Sequence, residues 1–138
     1  MRFVPLAILL CLFVANSEET GNHAWAIVSD KERTWDEAYH YCLTIGKHMW
    51  SPEDTGTPQP IHKPHSEHNY WVGIKRNPND GERWVDHNGI DQTGNLNWSK
   101  NQPDNTGGKE NCVHVHEHTD ELNDQFCDRK KDMFAACI

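Results

Sequence analysis

The segment from Asn77 to Lys109 holds 18 Asn, Asp, Gly and Pro residues among its 33. Neither a helical nor a strand period survives that composition. Irregular segments this long are uncommon in compact domains, where they are usually functional or disordered. Trp84 and Trp98 lie inside it, and two indoles of that size need somewhere to pack. The segment is therefore expected to be an ordered loop region. An ordered loop carrying many side-chain oxygens suits a hard cation.

The rest of the chain must supply a frame for such a loop. Met1 and Arg2 lead into an apolar run from Phe3 to Ala15, followed by Ala15-Asn16-Ser17. Small residues at the minus-three and minus-one positions of a cut after Ser17 fit a secretory signal peptide, residues 1–17. The run is shorter than the roughly 18 residues of a membrane span. A mature, exported chain of residues 18–138 is expected, forming one domain. Its formal net charge, −8 for the whole chain, becomes −9 once Arg2 is gone. That balance argues against nucleic acid or anionic lipid as a partner. Cys11 leaves with the signal, and Cys42, Cys112, Cys127 and Cys137 remain. In an oxidising compartment four cysteines imply two disulfides, with three pairings open.

Regular elements flank the loop region. "HAWAIV", residues 23–28, reads as a strand. In "TWDEAYHYCLTIGKH", Thr34 and Glu37 form a capping box. Trp35, Ala38, Cys42 and Ile45 recur on one helical face, and Gly46 is a helix stop. Four prolines break residues 51–65 into a loop. "YWVGI", residues 70–74, has the aromatic and β-branched content of a buried strand. In "VHVHEH" Val113 and Val115 should face one way, with His114, His116 and His118 facing the other. "MFAACI" closes the chain as a strand.

The oxygens concentrate in two places. "NQPDNTGGKENC" carries Gln102, Asp104 and Glu110; "LNDQFC" carries Asn123 and Asp124. Three carboxylates and two amides, with no soft ligand, form a set that suits calcium, which takes about 6 to 8 oxygens. A cis bond before Pro103 would turn residues 102 and 104 to one side.

The ordered series "TWDEAYHYC", "WVGI", "RWVDHNG", "NWSKNQPDN", "ENCV" and "LNDQFC" resembles the C-type lectin family over residues 22–138. The resemblance implies an α+β fold, with helices, antiparallel sheets, a long calcium-binding loop region and two disulfides. It implies the pairs Cys42–Cys137 and Cys112–Cys127. It also assigns Gln102, Asp104, Glu110, Asn123 and Asp124 to one calcium, with two sugar hydroxyls completing the shell. The order Gln-Pro-Asp goes with galactose-type sugars in this family, and Glu-Pro-Asn with mannose-type sugars. Leu122 stands where a tryptophan is common, and the prolines interrupt an expected second helix between residues 52 and 69. The acids of an auxiliary calcium site are not evident near Arg76 and Asn77. No aromatic residue follows Asp104 to stack on the apolar face of galactose. His116 and Trp84 are the candidate substitutes.

Other features pull less strongly. His114, His116 and His118, or His62, His65 and His68, could hold zinc. A zinc hydrolase would need further machinery that no motif supplies. Asn97-Trp98-Ser99 matches an N-glycosylation sequon. The expected function is a secreted, calcium-dependent lectin and not an enzyme. Its ligand would be terminal galactose or N-acetylgalactosamine on a microbe or cell, bound by a noncovalent homodimer for avidity. A lectin-like domain binding a protein or surface is the competing expectation, as is a mannose-type or broad specificity.

Overall fold

The computed structural model describes residues 27–52 and 67–138. The expected signal peptide, most of the first strand, the proline-rich loop, His62 and His65 lie outside them. Seven elements follow in order: β1 (Ile27–Val28), α1 (Trp35–Thr44), β2 (Asn69–Arg76), β3 (Trp84–Asp86), β4 (Cys112–Val115), β5 (Leu122–Gln125) and β6 (Met133–Cys137). The sheet runs β1-β6-β2-β4-β5, with β3 added beside β2.

Helix α1 begins where its capping box stands. The Thr34 side chain accepts from the Glu37 N–H at 3.2 Å, and the Glu37 carboxylate accepts from the Thr34 N–H at 3.0 Å. Gly46, at φ +72°, takes the left-handed turn that ends the helix. Trp35, Ala38 and Cys42 are buried. Ile45, expected on that face, is 38% exposed, because the helix has already ended at Thr44.

β2 is the centre of the sheet. Its first three residues pair in parallel with β6, its last three antiparallel with β3, and its other edge pairs with β4. The parallel β2–β6 pair is a departure from the antiparallel expectation; the remaining strand pairs described are antiparallel. Alternation along β2 divides the interior in two. Trp71 packs with Trp35, Ala38, Cys42 and Met133 on the helix side. Val72 and Ile74 pack with Trp84, Leu96, Val113, Val115 and Leu122 on the loop side. Each buried indole on the helix side finds an acceptor: Trp35 Nε1–H donates to the Val72 carbonyl and Trp71 Nε1–H to the Arg33 carbonyl, both at 2.8 Å. Leu122, in the place of the common tryptophan, is fully buried in the loop-side core.

Both disulfides are those the resemblance implied. Cys42–Cys137 ties α1 to β6, and Cys112–Cys127 ties β4 to the chain after β5. The region from Asn77 to Lys109 is ordered by its own polar side chains. Asp80 accepts from the N–H groups of Glu82 and Arg83, Asp86 from those of Asn88 and Ile90, and Asp91 from that of Thr93. Trp84 and Trp98 pack at 5.1 Å between ring centroids.

Gly73 is set by close approach. Its N–H donates to the Trp50 carbonyl at 2.6 Å. A methyl group there would stand 3.1 Å from the Met49 carbonyl oxygen and 3.2 Å from that of Trp50. Both obstacles are backbone. Gly73→Ala is expected to cost roughly 1–3 kcal/mol of stability through overpacking. Urea unfolding of the two proteins measures it; an unchanged midpoint would mean that the Met49–Trp50 segment yields freely.

Candidate functional site

The loop region and β5 meet at three carboxylates. Asp104, Glu110 and Asp124 each bring an oxygen within 4.8 Å of the others. The chain reaches them in different ways. The Gln102–Pro103 bond is cis, and Asp104 follows directly. Asn105 turns left-handed at φ +48° and opens a short 3-10 turn, Thr106–Gly108, that leads to Glu110. Asp124 comes from β5, whose pairing with β4 sets Val113 opposite Asp124 and His114 opposite Asn123.

Asp124 is fully buried. Its carboxylate accepts from the Asp104 N–H at 3.1 Å and the Asn105 N–H at 2.8 Å. The Arg76 guanidinium lies 3.5 Å away. That guanidinium also donates to the carbonyls of Gly81 at 2.8 Å and Glu110 at 3.1 Å, and it sits 4.4 Å over the Trp84 ring. A buried carboxylate needs this many donors to stay charged.

Its neighbours differ. Asp104 is exposed, and the hydrogen bond from the Thr106 side chain holds its carboxyl below the usual range. Glu110 is 6% exposed. Its carboxylate accepts from the Thr106 N–H at 3.2 Å. Burial, then Asp104 and Asp124 beside it, push its carboxyl up to about 7. Like charges crowded in a poorly solvated place cannot all ionise freely. The cluster is thus short of positive charge, and Glu110 is the member that takes a proton in its place.

The two amides complete the group. Gln102 Oε1 accepts from the Asp104 N–H at 3.1 Å. Asn123 Nδ2 lies 3.1 Å from His114 Nε2, and His114 Nδ1 lies 3.2 Å from the Val115 carbonyl. With the imidazole proton on Nδ1, both contacts are hydrogen bonds, and the Asn123 amide is held in one sense. Its Oδ1 is then buried with no hydrogen-bond partner. A buried carbonyl oxygen with no partner among the described residues, one residue before Asp124, is a group that a hard cation can satisfy.

The expected stacking residues separate. His116 is exposed and lines a pocket together with Gln102 and Asn123. Trp84 does not serve: it is 2% exposed, packed under Arg76 and against Trp98 in the loop-side core. The histidines also depart from expectation. His114 is buried, edge-on to Trp71, while β4 ends at Val115 and His118 sits in a turn at φ +61°. His114 and His116 keep to one side, their ring centroids 6.0 Å apart, and His118 leaves it. His68 stacks on Phe134 at 4.5 Å. Asn97 is exposed, and Trp98 after it packs against the core.

Three contributors escaped the sequence reading. Arg76 reads as an ordinary charge at a strand end, and only the fold brings it to Asp124. Asn105 supplies the left-handed turn, an N–H to Asp124 and a side-chain oxygen to the Glu110 N–H at 3.1 Å; its readiness for positive φ was the available signal. Phe126 supports the 3-10 turn, its ring 3.6 Å from where a methyl on Gly107 would stand. A larger cleft, about 760 Å³, opens between α1, β2 and β3. It includes Trp35, Tyr39 and Val85 but none of the five oxygen-bearing residues.

Known proteins share this fold. Residues 31–134 match the Lectin C-type domain family. The chain is 31% identical over 122 residues to C-type lectin TsL of Trimeresurus stejnegeri, covering 80% of this chain and 74% of that protein. It is 30% identical over 105 residues to C-type lectin domain family 4 member F of Mus musculus, a span of 72% of this chain but 19% of the mouse protein. The cow C-type carbohydrate-recognition domain of CD23 superposes with a TM-score of 0.62 at 20% identity, covering 83% of this chain and 92% of that one. TC14, a C-type lectin from the tunicate Polyandrocarpa misakiensis, gives 0.59 at 21% identity, covering 80% and 93%. The chain belongs to the C-type lectin domain family and is not an enzyme.

Proposed function

We propose that this protein is a secreted, calcium-dependent lectin for terminal galactose or N-acetylgalactosamine. The observation that carries the reading is the gathering of Asp104, Glu110 and Asp124, together with an Asn123 Oδ1 that has no hydrogen-bond partner among the described residues. Every available atom is a hard oxygen, the kind calcium takes at about 2.3–2.6 Å. Gln102, Asp104, Glu110, Asn123 and Asp124 would hold the ion. Bound there, calcium would supply a hard Lewis centre for two neighbouring sugar hydroxyls.

The chain's own part is orientation. Arg76 and two backbone N–H groups fix Asp124, and His114 fixes Asn123. Side chains so held lose little freedom on binding. Carboxylate oxygens can accept from a hydroxyl and amide nitrogens can donate to one, so each sugar hydroxyl meets a directed partner as well as the ion. The Gln102-Pro103-Asp104 order supports the galactose type. His116 is the ring nearest in kind to a stacking platform, at the rim shared with Gln102 and Asn123. Two disulfides support an extracellular setting. Among the described residues no helix is long and apolar enough to cross a membrane. Recognition or agglutination of microbes or cells would draw on a noncovalent homodimer, since one weak site gains avidity by pairing.

The direct test is retention of the mature protein on immobilised galactose and mannose, with calcium and then with EDTA. Retention on galactose, released by EDTA and absent in Asp124→Asn, is expected. Retention on mannose alone would keep the ion and refute the galactose preference. Retention on neither would refute the sugar reading and favour a protein or surface ligand.

A second expectation concerns pH. Without calcium, Glu110 in the folded chain holds its proton up to about 7, against 4.5 ordinarily. Below 4.5 both states are protonated. Between 4.5 and 7 the folded state binds the extra proton, so stability falls as pH rises, by on the order of 3 kcal/mol in all. Above 7 the loss is complete and constant. Calcium, by replacing the proton, should restore stability at pH 8. Glu110→Gln should flatten the profile and remove the calcium response. Urea titrations at pH 5 and pH 8, with calcium or EDTA, read both; a Glu110→Gln profile like the parent's would place the slope on another group.

A further inference from the structure

The cleft of about 760 Å³ between α1, β2 and β3 holds none of the five oxygen-bearing residues. Its volume lies within the range of about 300–1,000 Å³ typical of ligand sites. It arises because β3 continues along the edge of β2 where β6 stops. Helix α1 packs on β6 and β2, and beside it the helix side of the β2–β3 hairpin stays open. Lys75 and Val85, cross-strand partners, share that face. One wall is aromatic. Trp35 and Tyr39, one helical turn apart, stack at 5.4 Å with their planes 8° apart. Trp35 is fixed at its backbone and at its ring: its N–H donates to the Cys127 carbonyl at 2.9 Å, and its Nε1–H to the Val72 carbonyl at 2.8 Å. His87, stacked on His48 at 5.2 Å, also lines the cleft. These walls are thus in place before any ligand arrives.

We infer that this cleft binds a small aromatic carboxylate, its ring laid against Trp35 and Tyr39 and its acid group beside Lys75. Trp35, Tyr39 and Val85 offer a flat ring apolar area and a face to stack on. Lys75 supplies the charge. Its Nζ stands 4.7 Å from the centroid of the Trp35 ring. Its ion pair with Asp36 is 4.0 Å long, and Asp36 is 75% exposed, so water screens that partner and leaves the ammonium able to donate to a ligand. The other charged residues of the lining are committed. The Asp86 carboxylate accepts from the N–H groups of Asn88 and Ile90 and from Gln92 Nε2. The Arg76 guanidinium is taken up by Asp124 and by the carbonyls of Gly81 and Glu110. An aromatic amine would meet Lys75 with a like charge. The inference stands apart from the sugar reading, since it needs neither calcium nor the loop carboxylates.

Calorimetry on the mature protein tests this with 2-naphthoate, 2-naphthylmethanol and 2-naphthylmethylamine, in calcium and in EDTA. Naphthoate is expected to bind about threefold more tightly than the alcohol, the weight of one partly exposed ion pair. The amine should bind most weakly, and EDTA should change nothing. Lys75→Gln should bring naphthoate down to the level of the alcohol. Val85→Trp should block all three ligands by filling the cleft; if that variant does not fold, Tyr39→Ala should weaken all three at least threefold. Absence of naphthoate binding, equal binding of the three ligands, or binding unmoved by Lys75→Gln would overturn the inference. Binding lost in EDTA would also overturn it, by moving the ligand to the carboxylate cluster. Self-association of the protein that excludes naphthoate and is abolished by Val85→Trp would overturn it in favour of a second copy as the occupant.

Discussion

A carboxylate with no exposure at all, that of Asp124, sets the terms for the loop side of this protein. Burying a charge is tolerable only when donors surround it. Here they come from two separate stretches: Arg76 at the end of β2, and the N–H groups of Asp104 and Asn105 after the cis proline. Through Arg76 the same charge is joined to the carbonyls of Gly81 and Glu110. The irregular region is therefore folded around one anion as much as around Trp84 and Leu96. Truncating Arg76 would leave that anion short of a partner, an error far costlier than loss of a surface ion pair.

The three carboxylates divide the work. Asp124 is buried among donors, Asp104 is solvated with its carboxyl held below the usual range, and Glu110, its carboxyl pushed up to about 7, is the one that holds a proton most readily. The divalent ion proposed for this site would do what that proton does, with twice the charge and with coordination positions left for a ligand. Local order of this kind would be lost if Asn123 could turn its amide over. The buried His114 prevents that, and the imidazole is itself held against Trp71. The helix-side core thus reaches through the sheet to the orientation of a single oxygen.

Much of this architecture was legible in the residues. Thr34 and Glu37 marked the start of α1 because a capping box is a local, reciprocal pair of bonds. "YWVGI" marked β2 because such residues have no other good place. Three of the five oxygen-bearing residues, Asp104, Glu110 and Asp124, lie together, as their clustering around Pro103 and two cysteines suggested. What could not be read was whatever depends on a partner distant in the chain. His114 alternates outward from Val113 and Val115, yet Trp71 covers that face, and period-2 patterning tells which side a residue faces but not whether that side is dry. Trp84 had equal claim to core or surface until Arg76 and Trp98 enclosed it. Arg76 and Asp124 stand 48 residues apart, and nothing local at either position announces the other. The parallel pairing of β2 with β6 is hidden for the same reason.

The strand order has a bearing on how such a domain meets the world. β1 and β6 are neighbours at one edge of the sheet, with Ile27 opposite Cys137, and β5 with Asn123 and Asp124 is at the other edge. Ile27 and Cys137 therefore lie toward the margin of the sheet away from β5. A tether, a bead or a fused protein joined after β6 would leave from that margin and not from the edge that carries Asn123 and Asp124. Immobilised in that manner, the domain would leave the β5 edge, and with it the proposed site, open to the solution.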